Sequence, residues 1–455
     1  MVKRVSIITL GCAKNEVDTA HMTARLIDAG YQVIDWNESQ VHGEQDPAIV
    51  LDAIIINTCS FLQAAIEESL EVIFDIAELP SVTQGRTKLV IAGCMPSRFG
   101  ADLEDELQEA QLFVPCKAEC DIVEKIDELL DTARPASSFS TSAASDSHMH
   151  DHALLRRIDP GPSAYVKISD GCNRFCSFCA IPYIRGRYHS FSYETIHKEV
   201  EGLVDQGVKE IVLIAQDTAI WGSDLEPKRT LAWLLDSLAN AFPATWFRIL
   251  YIQPEYVDEA LLRTIAQHDN ICNYLDIPFQ HVDADLLKSM NRKGSYEAFM
   301  QLIDLIRSIL PTVALRTTLI VGYPGETDQQ FDDLCDFVSE IDFDYVGAFA
   351  FSSEEGTRAA TLSDQIDEET KQERLRIIRD LADTVSQGRL ARFVNQEIEV
   401  LALGYEEDGQ LIGRSQYQAP DVDGVTYLDD GKPGQFVTVR IEDTLYYEME
   451  GTRAR

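Results

Sequence analysis

The stretch GCNRFCSFCAIP, residues 171–182, brings Cys172, Cys176 and Cys179 close together in the chain. It directly follows the apolar run AYVKIS (164–169), which predicts a β-strand. Active-site residues of β/α barrels lie at the carboxyl ends of the strands, so this loop is predicted to belong to an active site. Thiolates at this spacing can each bind one iron of a cubane cluster, which leaves one iron open for substrate chemistry.

Two other interpretations of the three cysteines stay open but are weaker. A structural zinc site requires four ligands, and the next His or Cys after Cys179 is His189, ten residues further on. Three inert buried cysteines are the other alternative, and so close a spacing makes that coincidence improbable. The iron–sulfur interpretation is therefore favoured.

Six strand-like runs separated by helical patterns predict a partial (β/α)6 barrel over residues 156–388, two units short of a full eight. The runs are AYVKIS, EIVLIA, FRILYI, YLDIPF, VALRTTLIVG and YVGAFAFS. Helical segments such as SYETIHKEVEGLVDQG and DQQFDDLCDFVSEI lie between them, and a long charged helix closes the region.

The segments on either side of this barrel differ from it. Residues 1–133 alternate β-branched runs (VSIITLG, AIIINT and KLVIAG) with helical patterns, which predicts a doubly wound parallel α/β domain. Residues 134–155 are rich in small and polar residues and are interpreted as a linker, whose three histidines are more typical of a solvated tract than of a metal site. Residues 389–455 alternate apolar and polar residues between Gly and Pro, which predicts a small antiparallel β-barrel.

Three further cysteines share one position in the N-terminal domain. Cys12, Cys59 and Cys94 each come just after a predicted strand, in SIITLGC, AIIINTC and LVIAGC. The carboxyl ends of parallel strands open onto the same edge of a sheet, where ligands bind. Cysteines are often simply buried, but three in the same register predict a second three-cysteine cluster with one open iron.

The loop CNRFCSFC, with Phe178 before its last cysteine, resembles the cluster loop of the radical S-adenosylmethionine (SAM) superfamily. The resemblance implies that the open iron binds the amino and carboxylate groups of SAM. It also implies that electron transfer cleaves SAM to a 5′-deoxyadenosyl radical, while the protein orients the cofactor and excludes water.

The whole chain resembles the methylthiotransferases, which join a three-cysteine cluster domain, a radical-SAM barrel and a C-terminal TRAM barrel. The resemblance implies two 4Fe-4S clusters: the N-terminal cluster holds the transferred sulfur, and the loop cluster generates the radical. Four segments resemble the branch that modifies an aspartate of ribosomal protein S-twelve: LGCAKNEVD, YLDIPFQHVDADLLKSMNR, FSSEEGTRAA and APDVDGVTYL.

Other candidate positions follow predicted barrel strands and are expected to face the SAM pocket. They are Asp217, Gln280, His281, Gly322, Gly325 and Glu326. For each of them a role in the core or in a loop is an equal alternative. Cys116, Cys120, Cys272 and Cys335 are interpreted as core or surface thiols without a function.

The charge of the chain bears on its partners. The formal net charge is −37, and residues 391–455 hold thirteen acidic and six basic residues. A surface of this charge repels phosphate, which makes tRNA an unlikely partner and suits a basic ribosomal protein. The alternatives are that acidity only maintains solubility, or that a local basic face exists within the acidic total.

The expected function is therefore the transfer of a methylthio group to the β-carbon of an aspartate in ribosomal protein S-twelve, with SAM as methyl donor and radical source. The alternatives are a tRNA (adenosine) methylthiotransferase and an iron–sulfur electron carrier or scaffold. Ten cysteines, the absence of a long apolar run and an N-terminal apolar run too short for a secretory signal predict a cytoplasmic protein without a membrane span. The sulfur donor and the electron donor are left unassigned by the sequence.

Overall fold

The computed structural model describes residues 2–36, 50–131 and 157–454. The predicted linker at 134–155, with its three histidines, lies outside the described residues. Among the described residues, no helix combines the length and apolarity that crossing a membrane requires.

The N-terminal domain contains a five-stranded parallel sheet in the spatial order β2-β1-β3-β4-β5. The strands are β1 (Arg4–Thr9), β2 (Gln32–Val33), β3 (Ala53–Thr58), β4 (Lys88–Gly93) and β5 (Leu112–Pro115). All six residues of β3 are buried, as expected for a central strand covered on both faces. The edge strands β2 and β5 are absent from the sequence prediction, because so few residues carry no recognisable pattern.

Helices cover both faces of this sheet, which confirms the doubly wound α/β prediction. They are α1 (Ala13–Asp28), α2 (Gln63–Ala77), α3 (Pro80–Thr83), α4 (Cys94–Phe99), α5 (Ala101–Glu106) and α6 (Ile122–Leu129). Met22 of α1 and Ile126 of α6 pack on one face. Ile73 of α2 and Met95 of α4 pack on the other.

The central domain contains the six predicted parallel strands, arranged in two three-stranded sheets. The strands are β6 (Ser163–Lys167), β9 (Glu210–Ile214), β10 (Trp246–Ile249), β11 (Tyr274–Asp276), β12 (Ala314–Val321) and β13 (Tyr345–Ala350). A parallel bridge between Phe247 and Ile271 joins the two sheets. Strands β6 and β13 are left as the two edges of an incomplete barrel.

Between β6 and β9, the short antiparallel strands β7 (Ser169–Asp170) and β8 (His189–Ser190) enclose the cysteine loop. The helices of this domain are α7 (Ile181–Ile184), α8 (Tyr193–Asp205), α9 (Leu231–Ala241), α10 (Glu259–Gln267), α11 (Ala284–Ser289), α12 (Tyr296–Ile309), α13 (Asp328–Ile341) and α14 (Glu368–Leu390). Most begin at a Ser, Thr or Asp whose side chain accepts a hydrogen bond from a first-turn backbone N–H.

The C-terminal domain is a closed five-stranded barrel in the order β14-β15-β16-β18-β17. The strands are β14 (Glu397–Tyr405), β15 (Leu411–Ser415), β16 (Thr426–Leu428), β17 (Phe436–Leu445) and β18 (Glu448–Arg453). Four neighbouring pairs are antiparallel, as predicted, and the pair β16–β18 is parallel. An odd number of strands cannot alternate in direction around a closed ring, so one parallel pair is unavoidable.

The C-terminal barrel packs against the amino ends of the central strands through buried charges. Glu210, the first residue of β9, accepts hydrogen bonds from Arg414 of β15 and from Arg248 of β10 (Nε–Oε1, 2.8 Å). Arg248 Nη2 donates to the Ser415 carbonyl at 3.0 Å. The Trp246 ring lies against Phe436, with 4.6 Å between ring centroids.

Helix α1 of the N-terminal domain packs along the edge strand β6 of the central domain. Asp18 of α1 pairs with Lys167 of β6. His21, one turn further along α1, contacts Glu199 of α8 at 2.9 Å. All three domains are therefore joined through buried polar contacts, and the carboxyl ends of the central strands stay uncovered by the C-terminal barrel.

We expect the substitution Glu210→Gln to destabilise the protein by about 3–5 kcal/mol at pH 7, because Arg248 and Arg414 would remain buried without their carboxylate. Burial alone would raise the pKa of Glu210, but the two arginines lower it to about 2. A lowered carboxyl pKa contributes stability above the ordinary value near 4.5 and loses it as the pH falls toward 2. The difference in thermal midpoint between variant and wild type should therefore shrink below about pH 4.5.

The matched control is Glu259→Gln, which removes an exposed pair with Arg263 on helix α10. This variant is expected to lower the free energy of unfolding by at most about 1 kcal/mol. Equal losses of thermal stability in the two variants would contradict the role of Glu210 at this junction. A stability loss in Glu210→Gln that does not change with pH would contradict it as well.

Candidate active site

The loop with the three cysteines is closed at its base by backbone contacts. Strands β7 and β8 pair across it, and Cys172 N–H donates to the Gly186 carbonyl at 3.1 Å. Gly171 has φ +73°, and a Cβ there would lie 2.2 Å from the Arg187 carbonyl oxygen. Glycine at this position lets the two ends of the loop approach, which gathers the cysteines above the carboxyl end of β6.

The loop thiols lie near one another and are largely withdrawn from solvent. Cys172 is buried, and Cys176 and Cys179 are half-buried. Burial, together with a smaller contribution from the adjacent Cys176 thiol, raises the pKa of Cys172 to about 11 and that of Cys179 to about 12. Because these groups resist ionisation when alone, the site favours thiolates only when a cationic metal centre is bound to them.

Four buried acceptor oxygens without hydrogen-bond partners lie at the carboxyl ends of β9, β10 and β11. They are Gln216 Oε1, Asp217 Oδ1, Gln253 Oε1 and Gln280 Oε1. Gln280 has φ +69°, and its backbone N–H donates to the Thr318 carbonyl at 2.9 Å. A ligand with ammonium or hydroxyl donors, such as SAM, would satisfy these acceptors.

Asp217 is fixed by a residue of the cysteine loop. Arg174 Nε donates to Asp217 Oδ2 at 2.5 Å, and Arg174 also pairs with Glu255 at 2.8 Å. Burial raises the pKa of Asp217, and the neighbouring Arg174 only partly offsets it. Asp217 and Gln280 are thus placed where the sequence predicts them, at the strand ends beside the loop.

The side chains of His281 and Glu326 contact each other. His281 Nδ1 accepts from the backbone N–H groups of Val282 and Asp283, and its Nε2 lies 3.4 Å from Glu326 Oε1. Glu326 also accepts from Arg374 of α14 at 3.2 Å. The two residues are thus paired near the ends of β11 and β12, and His281 Nε2 and Glu326 Oε1, like the four acceptors, are buried without a hydrogen-bond partner.

The remaining predicted pocket positions are also part of the scaffold. Gly322 has φ +71°, and a Cβ there would lie 2.5 Å from Lys371 Cγ, whereas Gly325 has φ +84° and open space around it. Phe178 is partly buried and packs on the central hydrophobic core. Gly322 and Gly325 thus belong to the turn after β12, and Phe178 belongs to the cysteine loop.

The second group of cysteines lies at the carboxyl edge of the N-terminal sheet. Cys12 precedes α1, Cys59 follows β3, and Cys94 begins α4. A Cβ at Gly11 would lie 2.5 Å from Cys59 Cβ, so the segments that carry Cys12 and Cys59 are in close contact. The three thiols therefore lie on adjacent loops of one sheet edge, at the point where the strand order reverses.

Asn15 and Asn57 hold these loops together. Asn15 Nδ2 donates to the carbonyls of Leu10 and Thr58, each at 2.9 Å. Asn57 Nδ2 donates to the Asn15 carbonyl at 3.0 Å. The loops after β1 and β3 are thus linked by hydrogen bonds that the sequence pattern did not indicate.

The two cysteine groups are neighbours in space. Cys94 packs with Ala180, which directly follows Cys179 in the chain, and with Ile184 of helix α7. Arg185, at the end of α7, donates to Asp18 at 2.6 Å and to Asn15 Oδ1 at 2.7 Å, and its Nη2 lies 3.7 Å from Cys94 Sγ. Sequence analysis missed this contact, since nothing local marks an arginine that binds residues 170 positions away.

The other four cysteines divide into two kinds. Cys272 is buried and Cys335 packs against the central core, as predicted. Cys120 donates weakly to Asp121 at 3.5 Å. Cys116 packs in the small cluster with Cys94, a proximity that sequence spacing did not reveal.

Within the described ranges, no three His, Cys, Asp or Glu side chains come close enough to hold a single metal ion. A cubane binds each of its cysteines through a different iron, so its ligands are spread more widely than those of one ion.

Three family models match the chain. The Radical SAM superfamily matches residues 166–338, the TRAM domain matches residues 394–453, and Uncharacterized protein family UPF0004 matches residues 4–115. The TRAM and UPF0004 spans coincide with the C-terminal barrel and the N-terminal sheet, whereas the Radical SAM span runs from within β6 to within α13 and stops before β13.

The chain is also similar to curated proteins over nearly its full length. Ribosomal protein uS12 methylthiotransferase RimO of Natranaerobius thermophilus is 38% identical and covers 98% of both chains. The RimO of Syntrophus aciditrophicus is 38% identical over 98% of this chain and 97% of the relative. The RimO of Clostridioides difficile is 37% identical over 98% of both.

Solved structures support the fold. The radical S-adenosylmethionine methyltransferase TsrM from Kitasatospora setae superposes with a TM-score of 0.56 at 16% identity, covering 79% of this chain and 74% of that chain. The cobalamin-dependent S-adenosylmethionine radical enzyme OxsB gives a TM-score of 0.51 at 14% identity, over 84% of this chain and 56% of that one.

The close approach of Gly11 to Cys59 gives a test of the N-terminal site. We expect Gly11→Ala to displace the Cys59 loop and to lower the iron and sulfide bound per chain after anaerobic reconstitution. Gly30→Ala is the matched control, since Gly30 has a similar φ of +86° but nothing within 4 Å of its added Cβ. Both variants carry the same backbone strain, so equal iron contents in the two would contradict the proposed closeness of the loops.

Proposed function

This chain belongs to the family of ribosomal protein uS12 methylthiotransferases called RimO, and we propose that it adds a methylthio group to the β-carbon of an aspartate in that protein, S-twelve. Membership rests on 37–38% identity to family members across nearly the whole chain. The structural observation that supports this chemistry is the contact between the two cysteine groups, in which Cys94 packs against Ala180. A carried sulfur and a radical must meet within one site, and this contact supports such a meeting.

In this proposal Cys172, Cys176 and Cys179 hold a 4Fe-4S cluster above the barrel. When bound, this cluster together with SAM would supply the radical chemistry that activates the substrate carbon. Asp217 and Gln280, joined by Gln216 and Gln253, offer acceptor oxygens without other partners, to which the polar groups of SAM would donate hydrogen bonds. His281, Gly322, Gly325 and Glu326 fix these strand ends, and Phe178 packs the loop onto the core.

Cys12, Cys59 and Cys94 would hold the second 4Fe-4S cluster, which would supply the sulfur for methylthio transfer. Asn15 and Asn57 keep the loops of this site in place through the hydrogen bonds to Leu10, Thr58 and each other. The protein thereby holds a sulfur-carrying site and a radical-generating site at a fixed separation, while SAM serves both as methyl donor and as radical source.

The charge of the C-terminal barrel supports a basic protein substrate. Eleven of its acidic residues are exposed: Glu397, Glu399, Glu406, Glu407, Asp408, Asp421, Asp429, Asp430, Glu442, Asp443 and Glu450. Arg414 and Arg392 instead pair with Glu210 and Asp344 of the central domain. Arg453 pairs with Asp430 at 2.7 Å, so few cations remain for an RNA backbone on the described surface of this barrel.

The partners of the reaction follow from this assignment. Ribosomal protein uS12 is the substrate, no nucleic acid or membrane is required, and the reaction takes place in the cytoplasm. An external sulfur donor and an external electron donor complete the cycle. A tRNA methylthiotransferase with the same chemistry is the second candidate, and it is disfavoured by the acidic barrel.

The two cysteine groups should have separable roles. Cys176→Ala is expected to abolish cleavage of SAM to 5′-deoxyadenosine, because the loop cluster would lose a ligand. Cys59→Ala should retain that cleavage and lose methylthio transfer. Cys335→Ala, a half-buried thiol on α13, is the control and should retain both; measurable transfer by Cys59→Ala would refute this division.

Anaerobic turnover with SAM and a reductant, offered uS12 and unmodified tRNA in parallel, tests the substrate. We expect a methylthio gain on an aspartate of the protein alone, read by mass spectrometry. A methylthio gain on tRNA would support the same chemistry but would identify tRNA, in place of uS12, as the substrate. Failure of the reduced protein to cleave SAM would favour an electron carrier or scaffold instead.

A further inference from the structure

Arg185 is a buried cation that belongs to the radical-SAM domain but lies in the N-terminal cysteine site. It follows helix α7 and is 6% exposed. One of its terminal nitrogens donates to Asp18, and the other donates to Asn15 and lies 3.7 Å from the Cys94 sulfur. Nothing in the family assignment gives this residue a role.

Its surroundings form a balanced group of charges. Asp18 pairs with both Arg185 and Lys167, and Asp170 lies 3.3 Å from Lys167 and 3.7 Å from Arg185. Two cations thus face two carboxylates. The buried carboxyl of Glu119 is also close to them, and burial and the charge of Asp18 raise its pKa well above the ordinary value, which favours its neutral form. Loss of Arg185 would leave this group with one excess negative charge, and loss of the Asp18 charge would leave it with one excess positive charge.

Of these charged residues, Arg185 contacts a cysteine sulfur, that of Cys94. The reduction potential of an iron–sulfur cluster depends on the net charge around it and on hydrogen bonds to its sulfurs. A guanidinium beside the Cys94 sulfur would act on both.

We propose that Arg185 is a positioning residue that holds the Cys94 sulfur and sets the charge beside the N-terminal cluster. The inference rests on the proposed function, because it requires a cluster at Cys12, Cys59 and Cys94. It differs from a purely structural role, in which Arg185 would only join the two domains through Asp18.

The experiment uses the full chain with Cys172, Cys176 and Cys179 changed to Ala, so that only the N-terminal cluster is reconstituted. Its midpoint potential is measured by electron paramagnetic resonance at set potentials. We expect Arg185→Met to shift the potential to more negative values, because reduction adds negative charge next to an excess negative charge. Asp18→Asn should shift the midpoint potential to more positive values. The potential of Arg185→Lys should remain closer to that of the parent.

Arg248→Met is the control for destabilisation by loss of a buried arginine. Arg248 is fully buried and paired with Glu210, at the opposite, amino-terminal end of the barrel strands. This variant should unfold more easily and leave the potential unchanged. Opposite shifts for Arg185→Met and Asp18→Asn support the proposal, because loss of a structural tie alone would shift both in the same direction or neither.

Several results would overturn the inference. If Arg185→Met binds its cluster with the parent potential and spectrum, Arg185 does not act on the cluster. If Arg185→Met fails to fold, Asp18→Asn still decides, and an unchanged potential in that variant rejects the proposal. If the parent with Ala at the three loop positions binds no cluster, the two-cluster function itself fails, which is a separate outcome.

Discussion

The buried carboxylate of Asp18 is the contact on which the relation between the two cysteine groups depends. Burial alone would raise its pKa, but Lys167 and Arg185 lower it well below the ordinary value, so the group stays charged inside the protein. Lys167 precedes the cysteine loop and Arg185 follows it, while Asp18 lies one and a half turns after Cys12. One carboxylate therefore fixes the loop of one site against the first helix of the other. A buried charge without its partners is costly, and this makes any other arrangement of the two domains unfavourable.

This constraint explains why the incomplete barrel tolerates its open edge. Strand β6 lacks a neighbouring strand on one side, and helix α1 covers it with polar contacts to Lys167 and, through His21, to Glu199. Unprotected strand edges invite unwanted pairing. A full eight-stranded barrel would close this edge and would also exclude the N-terminal sheet from the active site. The shortened barrel thus makes room for the domain that carries the second group of cysteines.

Much of the architecture could be predicted, because it depends on local patterns. Runs such as AIIINT and KLVIAG match β3 and β4 residue for residue, and α13 begins and ends where its pattern does. The register of Cys12, Cys59 and Cys94 followed from strand ends alone. Contacts between distant residues could not be predicted: Arg185 with Asn15, Cys116 with Cys94, and the orphan oxygens of Gln216 and Gln253. No spacing rule links such positions, and only the folded chain brings them together.

The junction between the C-terminal barrel and the central strands has a consequence for how specificity can change in evolution. Glu210 contributes its carboxylate to arginines from both domains, and Tyr274 donates to Asp423 of the small barrel at 2.7 Å. A barrel exchanged as a unit from an RNA-binding relative would leave these buried charges unmatched unless it brought the same partners. New substrates are therefore more accessible by gradual substitution on the solvent side of the existing barrel than by recombination of whole modules. The buried charges at this interface therefore favour retention of the barrel's inner face during evolution, while its solvent-exposed surface can diverge.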